Sequence, residues 1–121
     1  SESAFLLGSC ELTSNFVISL ATLSDVTNRY IAYIGLTDFS QTTLLNSGVS
    51  QPQNGCFFKY SDNINSGNWQ IVCGKAGSYT TVNTSVAATS GFQNFGIHVN
   101  STATAATFTI DGVTVGVIDL R

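Results

Sequence analysis

Charge is what this sequence has least of. Seven Asp and Glu and four Lys and Arg make up 9% of its 121 residues, against about 25% in an average soluble domain. The net charge of −3 leaves no basic footprint of the kind a nucleic-acid binder needs, so no nucleic-acid partner is expected. There is one His, one Trp, one Pro and no Met at all. A chain without Met lacks its initiator, which suggests a domain trimmed or excised from a longer polypeptide. No apolar run approaches the 18 or so residues of a membrane-spanning helix, and Ser1-Glu2-Ser3-Ala4 carries no basic flank of a signal peptide, so no membrane insertion is expected.

The means of catalysis are equally scarce. Glycoside hydrolysis requires two carboxylates about 5.5 Å apart in its retaining form, yet the only Glu residues are Glu2 and Glu11, and no E-x-D-x-E or D-x-D pattern occurs. His98 stands between Ile97 and Val99, facing away from their apolar side, with no triad or metal partners in any neighbouring motif. Asp62-Asn63-Ile64-Asn65 offers oxygen ligands, but Ile64 falls where a calcium loop places its third ligand. No CxxC or Cys/His spacing suits zinc. The expectation is a protein that is not an enzyme and has no cofactor.

What the chain does have is apolar and uncharged polar residues. Hydrophobic residues reach 43%, with eight Phe and four Tyr, while Ser, Thr and Asn supply about a third of the chain. That aromatic content excludes disorder, and the length fits one domain over residues 1–121. Eleven Gly and no Ala/Leu/Glu/Lys-rich stretch argue for strands rather than helices. Phe16, Ile18 and Leu20 alternate on one face, while Tyr30 to Leu36 is apolar on both faces and so suits a central strand. Asp38 to Leu45 reads as a loose helical turn or a loop with short strands.

Two hairpins follow. Cys56 to Tyr60 and Trp69 to Cys73 flank a turn-rich segment; pairing Cys56 with Cys73, Phe58 with Ile71 and Tyr60 with Trp69 puts all six on one face. Phe57, Lys59, Gln70 and Val72 then share the other. In that register a Cys56–Cys73 disulfide is sterically conceivable. Asp111-Gly112 is a two-residue type I′ turn signal, which pairs Ile110 with Val113, Phe108 with Val115 and Ala106 with Val117, leaving Thr107, Thr109, Thr114 and Gly116 outward. Phe95, Ile97 and Val99 point inward on a further strand, and Tyr79 to Val82 and Val86 to Ala88 are shorter candidates. About eight short strands without crossover helices predict an all-β fold, an antiparallel sandwich of jelly-roll type.

Several of these segments together resemble a known family. Phe57-Phe58-Lys59-Tyr60-Ser61-Asp62, Asn68-Trp69-Gln70-Ile71-Val72, Gly74-Lys75-Ala76-Gly77, Thr84-Ser85-Val86-Ala87, the strand Phe95 to Asn100, and Phe108-Thr109-Ile110-Asp111-Gly112-Val113 are similar to the concanavalin-A-like jelly-roll modules of bacteriophage tail fibres and spikes. The resemblance covers roughly residues 30 to 118. It implies a virion module that attaches to a host receptor, a cell-surface glycan, or serves assembly; a stand-alone lectin and a structural decoration protein are the alternatives. It also implies a homotrimer, with Phe57, Val72 and Phe92 as interface candidates. Assembly in the host cytoplasm implies that Cys56 and Cys73 stay reduced, and three cysteines, Cys10 included, leave at least one thiol unpaired.

The candidate ligand site is the loop Asp62 to Asn68. Asp62, Asn63, Asn65 and Asn68 supply donors and acceptors for sugar hydroxyls, and Gly67 lets the backbone come close. Trp69 reads as a core residue, Tyr30, Tyr33 and Tyr79 as aromatic platforms should they face outward. The outer sheet face around Lys59, Gln70 and His98 is the second place to look. Asn83-Thr84-Ser85 and Asn100-Ser101-Thr102 match the glycosylation sequon, a match that an Asn- and Thr-rich chain produces by chance.

Overall fold

The computed structural model describes residues 11–37, 43–45, 51 and 54–120, with side chains at all of them except 37 and 43–45. Cys10, and residues 38–42 of the segment expected to be a turn or loop, lie outside the described residues. Nine strands are described: β1 (Leu12–Ser19), β2 (Ala32–Thr37), β3 (Thr43–Leu45), β4 (Gly55–Tyr60), β5 (Asn68–Lys75), β6 (Ser78–Ala87), β7 (Phe92–Val99), β8 (Ala105–Ile110) and β9 (Val113–Asp119). They form an antiparallel sandwich of a four-stranded sheet, β1-β7-β8-β9, and a five-stranded sheet, β3-β2-β4-β5-β6. The chain changes sheet twice, after β1 and after β6, so β4-β5-β6 and β7-β8-β9 are local meanders.

Aromatic side chains bind the two sheets together. Phe58, Tyr60 and Trp69 from β4 and β5 meet Phe95 and Phe108 from β7 and β8, with ring centroids 4.8 Å apart for Trp69–Phe95, 4.9 Å for Phe58–Phe95 and 5.3 Å for Phe58–Phe108. Tilted and edge-on contacts of this kind add to the area they bury. Ile71, Ile97, Val99, Ala106 and Ile118 complete the core. Trp69 is wholly buried, and its indole N–H donates to Gln93 Oε1 (3.2 Å), so the ring's polar edge is satisfied.

The expected β4–β5 register holds: Cys56 lies opposite Cys73, Phe58 opposite Ile71 and Lys59 opposite Gln70. Phe95, Ile97 and Val99 point inward as read. Four details differ. The β8–β9 hairpin keeps Ile110 opposite Val113, but a bulge between Phe108 and Thr109 leaves Phe108 opposite Gly116 and Ala106 opposite Ile118. One extra residue reverses the facing beyond it, so Ile118 is buried and Val117 exposed. The two short candidates at Tyr79 and Val86 are one ten-residue strand, β6, because the polar Thr84 between them is buried and its hydroxyl donates to the Trp69 carbonyl.

Cys56 and Cys73 are joined as a disulfide, Cα atoms 4.2 Å apart, which corrects the expectation of two free thiols. That expectation came from the compartment the resemblance implied; the strand register sets the two side chains within bonding reach, and the bond itself calls for an oxidising setting. Phe57 and Val72 are fully buried with Tyr33 in a small second cluster on the outer face of the five-stranded sheet, Ile31 packed beside them. They cannot serve as contacts between subunits. Gln51 lies across that face, its Oε1 accepting from Lys59 Nζ (2.6 Å) and its carbonyl from the Tyr79 hydroxyl (3.4 Å).

Candidate functional site

The Asp62–Asn68 loop leaves β4 and returns into β5 through a left-handed turn, with φ of 53° at Asn65, 56° at Ser66 and 81° at Gly67. Its polar side chains turn in two directions. Asp62 faces the β1–β2 connection, where its carboxylate accepts from Arg29 Nε (3.0 Å) and Nη2 (2.9 Å) and from the Ser24 hydroxyl (2.6 Å). The guanidinium and the hydroxyl hold the Asp62 carboxyl well below the usual carboxylate range. Ser24 is fixed in turn: its N–H donates to the Tyr60 hydroxyl, and its Oγ accepts from the Tyr30 N–H.

Asn65 faces the other way. Its amide donates to the carbonyls of Thr84 (2.9 Å) and Trp69 (3.2 Å), at the bulge where β5 and β6 lose register. Asn63 is exposed and accepts from Ser61 Oγ (3.1 Å), while Asn68 is half-buried. Of the four residues expected to form the ligand site, Asp62 and Asn63 meet at the Ser61 hydroxyl while Asn65 turns away from them, and the Asp62 carboxylate and the Asn65 amide nitrogen are already engaged within the fold.

The second expected surface divides as well. Lys59 and Gln70 lie on the outer face of the five-stranded sheet, with Gln70 Nε2 donating to Asn83 Oδ1 (2.7 Å), whereas His98 lies on the outer face of the four-stranded sheet opposite Thr13 and Thr107. Burial lowers the affinity of Lys59 for its proton. His98 Nε2 stands 3.4 Å from Glu11 Oε2 at the protein surface. Tyr33 is buried and Tyr30 packs edge-on against Tyr60, so of the three tyrosines only Tyr79 is exposed. The sequon at Asn100 is used internally, its amide locking the β7–β8 turn through Thr104 and Ala105. An open cleft of about 440 Å³ lies beside the disulfide, between Lys75, Thr80 and Leu120.

The outer face of the four-stranded sheet has a different character. Thr13, Asn15 and Val17 of β1, Phe92 and Asn94 of β7, Thr107 and Thr109 of β8, and Thr114 and Val117 of β9 point out from it, in accord with the outward threonines read from the sequence. Asn15, Asn94, Thr107 and Thr109 make no side-chain hydrogen bond within the described residues, although each has full donor and acceptor capacity. Gly96 lies buried between Asn15 and Thr109, and a Cβ built on it would collide with Thr109 Oγ1 and stand 3.2 Å from Asn15 Oδ1. Two unpaired polar atoms thus lean over one point from either side. The alternation of β1 could have revealed Asn15 as an outward residue; its convergence with Thr109 depends on a β1–β7–β8 register that no local pattern carries.

Among the described residues, fold and surface define an antiparallel β-sandwich whose four-stranded sheet turns an open face of amides, hydroxyls and a few apolar side chains outward, without Lys or Arg. Comparison of the chain with protein-family models, with curated proteins and with solved structures finds no match.

Proposed function

We propose that this chain is a non-enzymatic attachment module, of the kind displayed on phage tail fibres and spikes, which holds a cell-surface glycan without transforming it. The observation that carries the reading is the open face of the four-stranded sheet, where the side-chain amides of Asn15 and Asn94 and the half-exposed hydroxyls of Thr107 and Thr109 have no partner among the described residues. Such groups form hydrogen bonds with polyols at little desolvation cost, because none carries a full charge. Three of the seven acids are accounted for in ways that do not favour acid–base chemistry. Asp62 is held by Arg29, Glu11 lies against His98, and Asp25 caps the turn at Thr27 and Asn28.

The fibre setting brings a threefold assembly with it. With Phe57 and Val72 buried, the contacts of such a trimer fall on other surfaces. The test is a glycan array probed with the purified chain, followed by chromatography of any bound glycan after long incubation. Binding to a defined class with no cleavage products supports the reading. Release of shorter sugars would make the protein a hydrolase, and silence across the array would leave the structural decoration protein.

A further inference from the structure

The open face carries three exposed apolar side chains, Val17, Phe92 and Val117, and Phe92 is the one aromatic ring among them. Phe92, the first residue of β7, is 77% exposed. It stands opposite Ser19 and one step along the strand from Asn94, which is opposite Val17; the next outward position is Gly96, beneath Asn15 and Thr109. Residues alternating along one strand lie roughly 7 Å apart on the same face. An exposed ring, an amide and a convergent amide–hydroxyl pair therefore follow one another in a line along β7.

We infer that this line is a binding site for a neutral saccharide chain. The Phe92 ring stacks on the apolar face of one sugar, and Asn94 with the Asn15–Thr109 pair takes the hydroxyls of the sugars that follow. The inference rests on the attachment reading above and adds the place and the ligand class. Four observations select this occupant. The backbone groups of β7 are engaged by β1 and β8 on its two sides, so a peptide could not add to the sheet here and recognition must pass through side chains. The polar groups are short amides and hydroxyls that match a polyol. Among the described residues no Lys or Arg points from the face, and its one His, His98, stands against the Glu11 carboxylate (3.4 Å), so sugars bearing carboxylate, sulfate or phosphate meet no unpaired counter-charge. Gly96 lets the pair converge where any side chain would occupy the point.

The test uses the full chain in affinity electrophoresis through gels carrying dextran, mannan, xylan or neutral O-antigen polysaccharide, with heparin and polysialic acid as anionic probes. Retardation is expected in at least one neutral gel. Phe92→Ala should weaken it about tenfold, and Asn15→Ala and Thr109→Val by about threefold to tenfold each. All three positions are at the surface, so melting temperatures should stay close to that of the parent, and Asn63→Ala in the loop should bind as the parent does. Retention of binding by Phe92→Ala, or loss of it through Asn63→Ala alone, overturns the site while the attachment reading stands. Binding to the anionic probes alone overturns the ligand class. No retardation in any gel overturns both the inference and the reading. A parent that is oligomeric in light scattering and becomes monomeric through Phe92→Ala would show the face to be a contact between copies, and the inference would fall.

Discussion

At Asn65 the backbone is left-handed, and the side-chain amide reaches two carbonyls on different strands. Asn tolerates that conformation better than most residues, and here it also satisfies an acceptor that the bulge removes from the ladder. Asn65→Ala should therefore cost about 1 to 3 kcal/mol in urea denaturation, while Asn63→Ala should change stability by less than about 0.5 kcal/mol. Equal effects would mean that the amide's bonds do not matter. The sequence shows Asn-rich turn chemistry in this loop but not whether each Asn serves a ligand or the chain, because that depends on Thr84, nineteen positions away. Ala76 is a simpler case. It has a φ of 52° at the first position of the β5–β6 turn, where Gly or Asn is preferred. Ala76→Gly should raise stability by about 0.5 to 1 kcal/mol, read as a shift of the denaturation midpoint without a change of slope.

Between elements, the β4–β5 hairpin was the most legible part of the chain. Alternation at Phe58, Tyr60, Trp69 and Ile71 and the symmetry of Cys56 and Cys73 specify a single register. Ile71→Ala should cost about 2 to 5 kcal/mol and Gln70→Ala little, since one side chain is in the core and the other at the surface. Equal costs would put the strand one residue out of register. The β9 bulge was not legible, because Val113 to Val117 alternates without interruption and the extra residue is accommodated through packing of Val115 and Gly116 against the opposite sheet. The burial of Phe57 and Val72 was hidden for a related reason: alternation assigns a side chain to a face but does not say what covers that face. Pairing of β2 with β4 depends on Gly35, whose φ is 152° and whose added Cβ would lie 2.6 Å from the Cys56 carbonyl oxygen. Gly35→Ala meets backbone rather than a side chain that can turn aside, so a loss of more than about 3 kcal/mol, or failure to fold, is expected in thermal melts.

For the whole molecule, the Asp62–Arg29 pair ties the β1–β2 connection to the start of the β4–β5 loop, so its titration acts on how two distant parts of the chain are joined. The folded-state affinity of Asp62 for protons is depressed, and the stabilisation it gives is present above its unfolded pKa of about 3.9 and lost as the pH falls below it. The melting temperature of the parent should thus fall more steeply between about pH 5 and pH 2 than that of Asp62→Asn. Parallel curves would show that the pair contributes nothing. The topology also bears on how the protein is made. Phe16 in β1 pairs with Phe95 in β7, roughly 80 positions later, so at 5 to 20 residues per second the first of these strands leaves the ribosome about 4 to 16 s before its partner exists. During synthesis the apolar row of Phe16, Ile18 and Leu20 has no sheet to join. A nascent chain stalled before Phe92 should cross-link to ribosome-associated chaperones through Phe16, and one stalled well beyond Val99 should not.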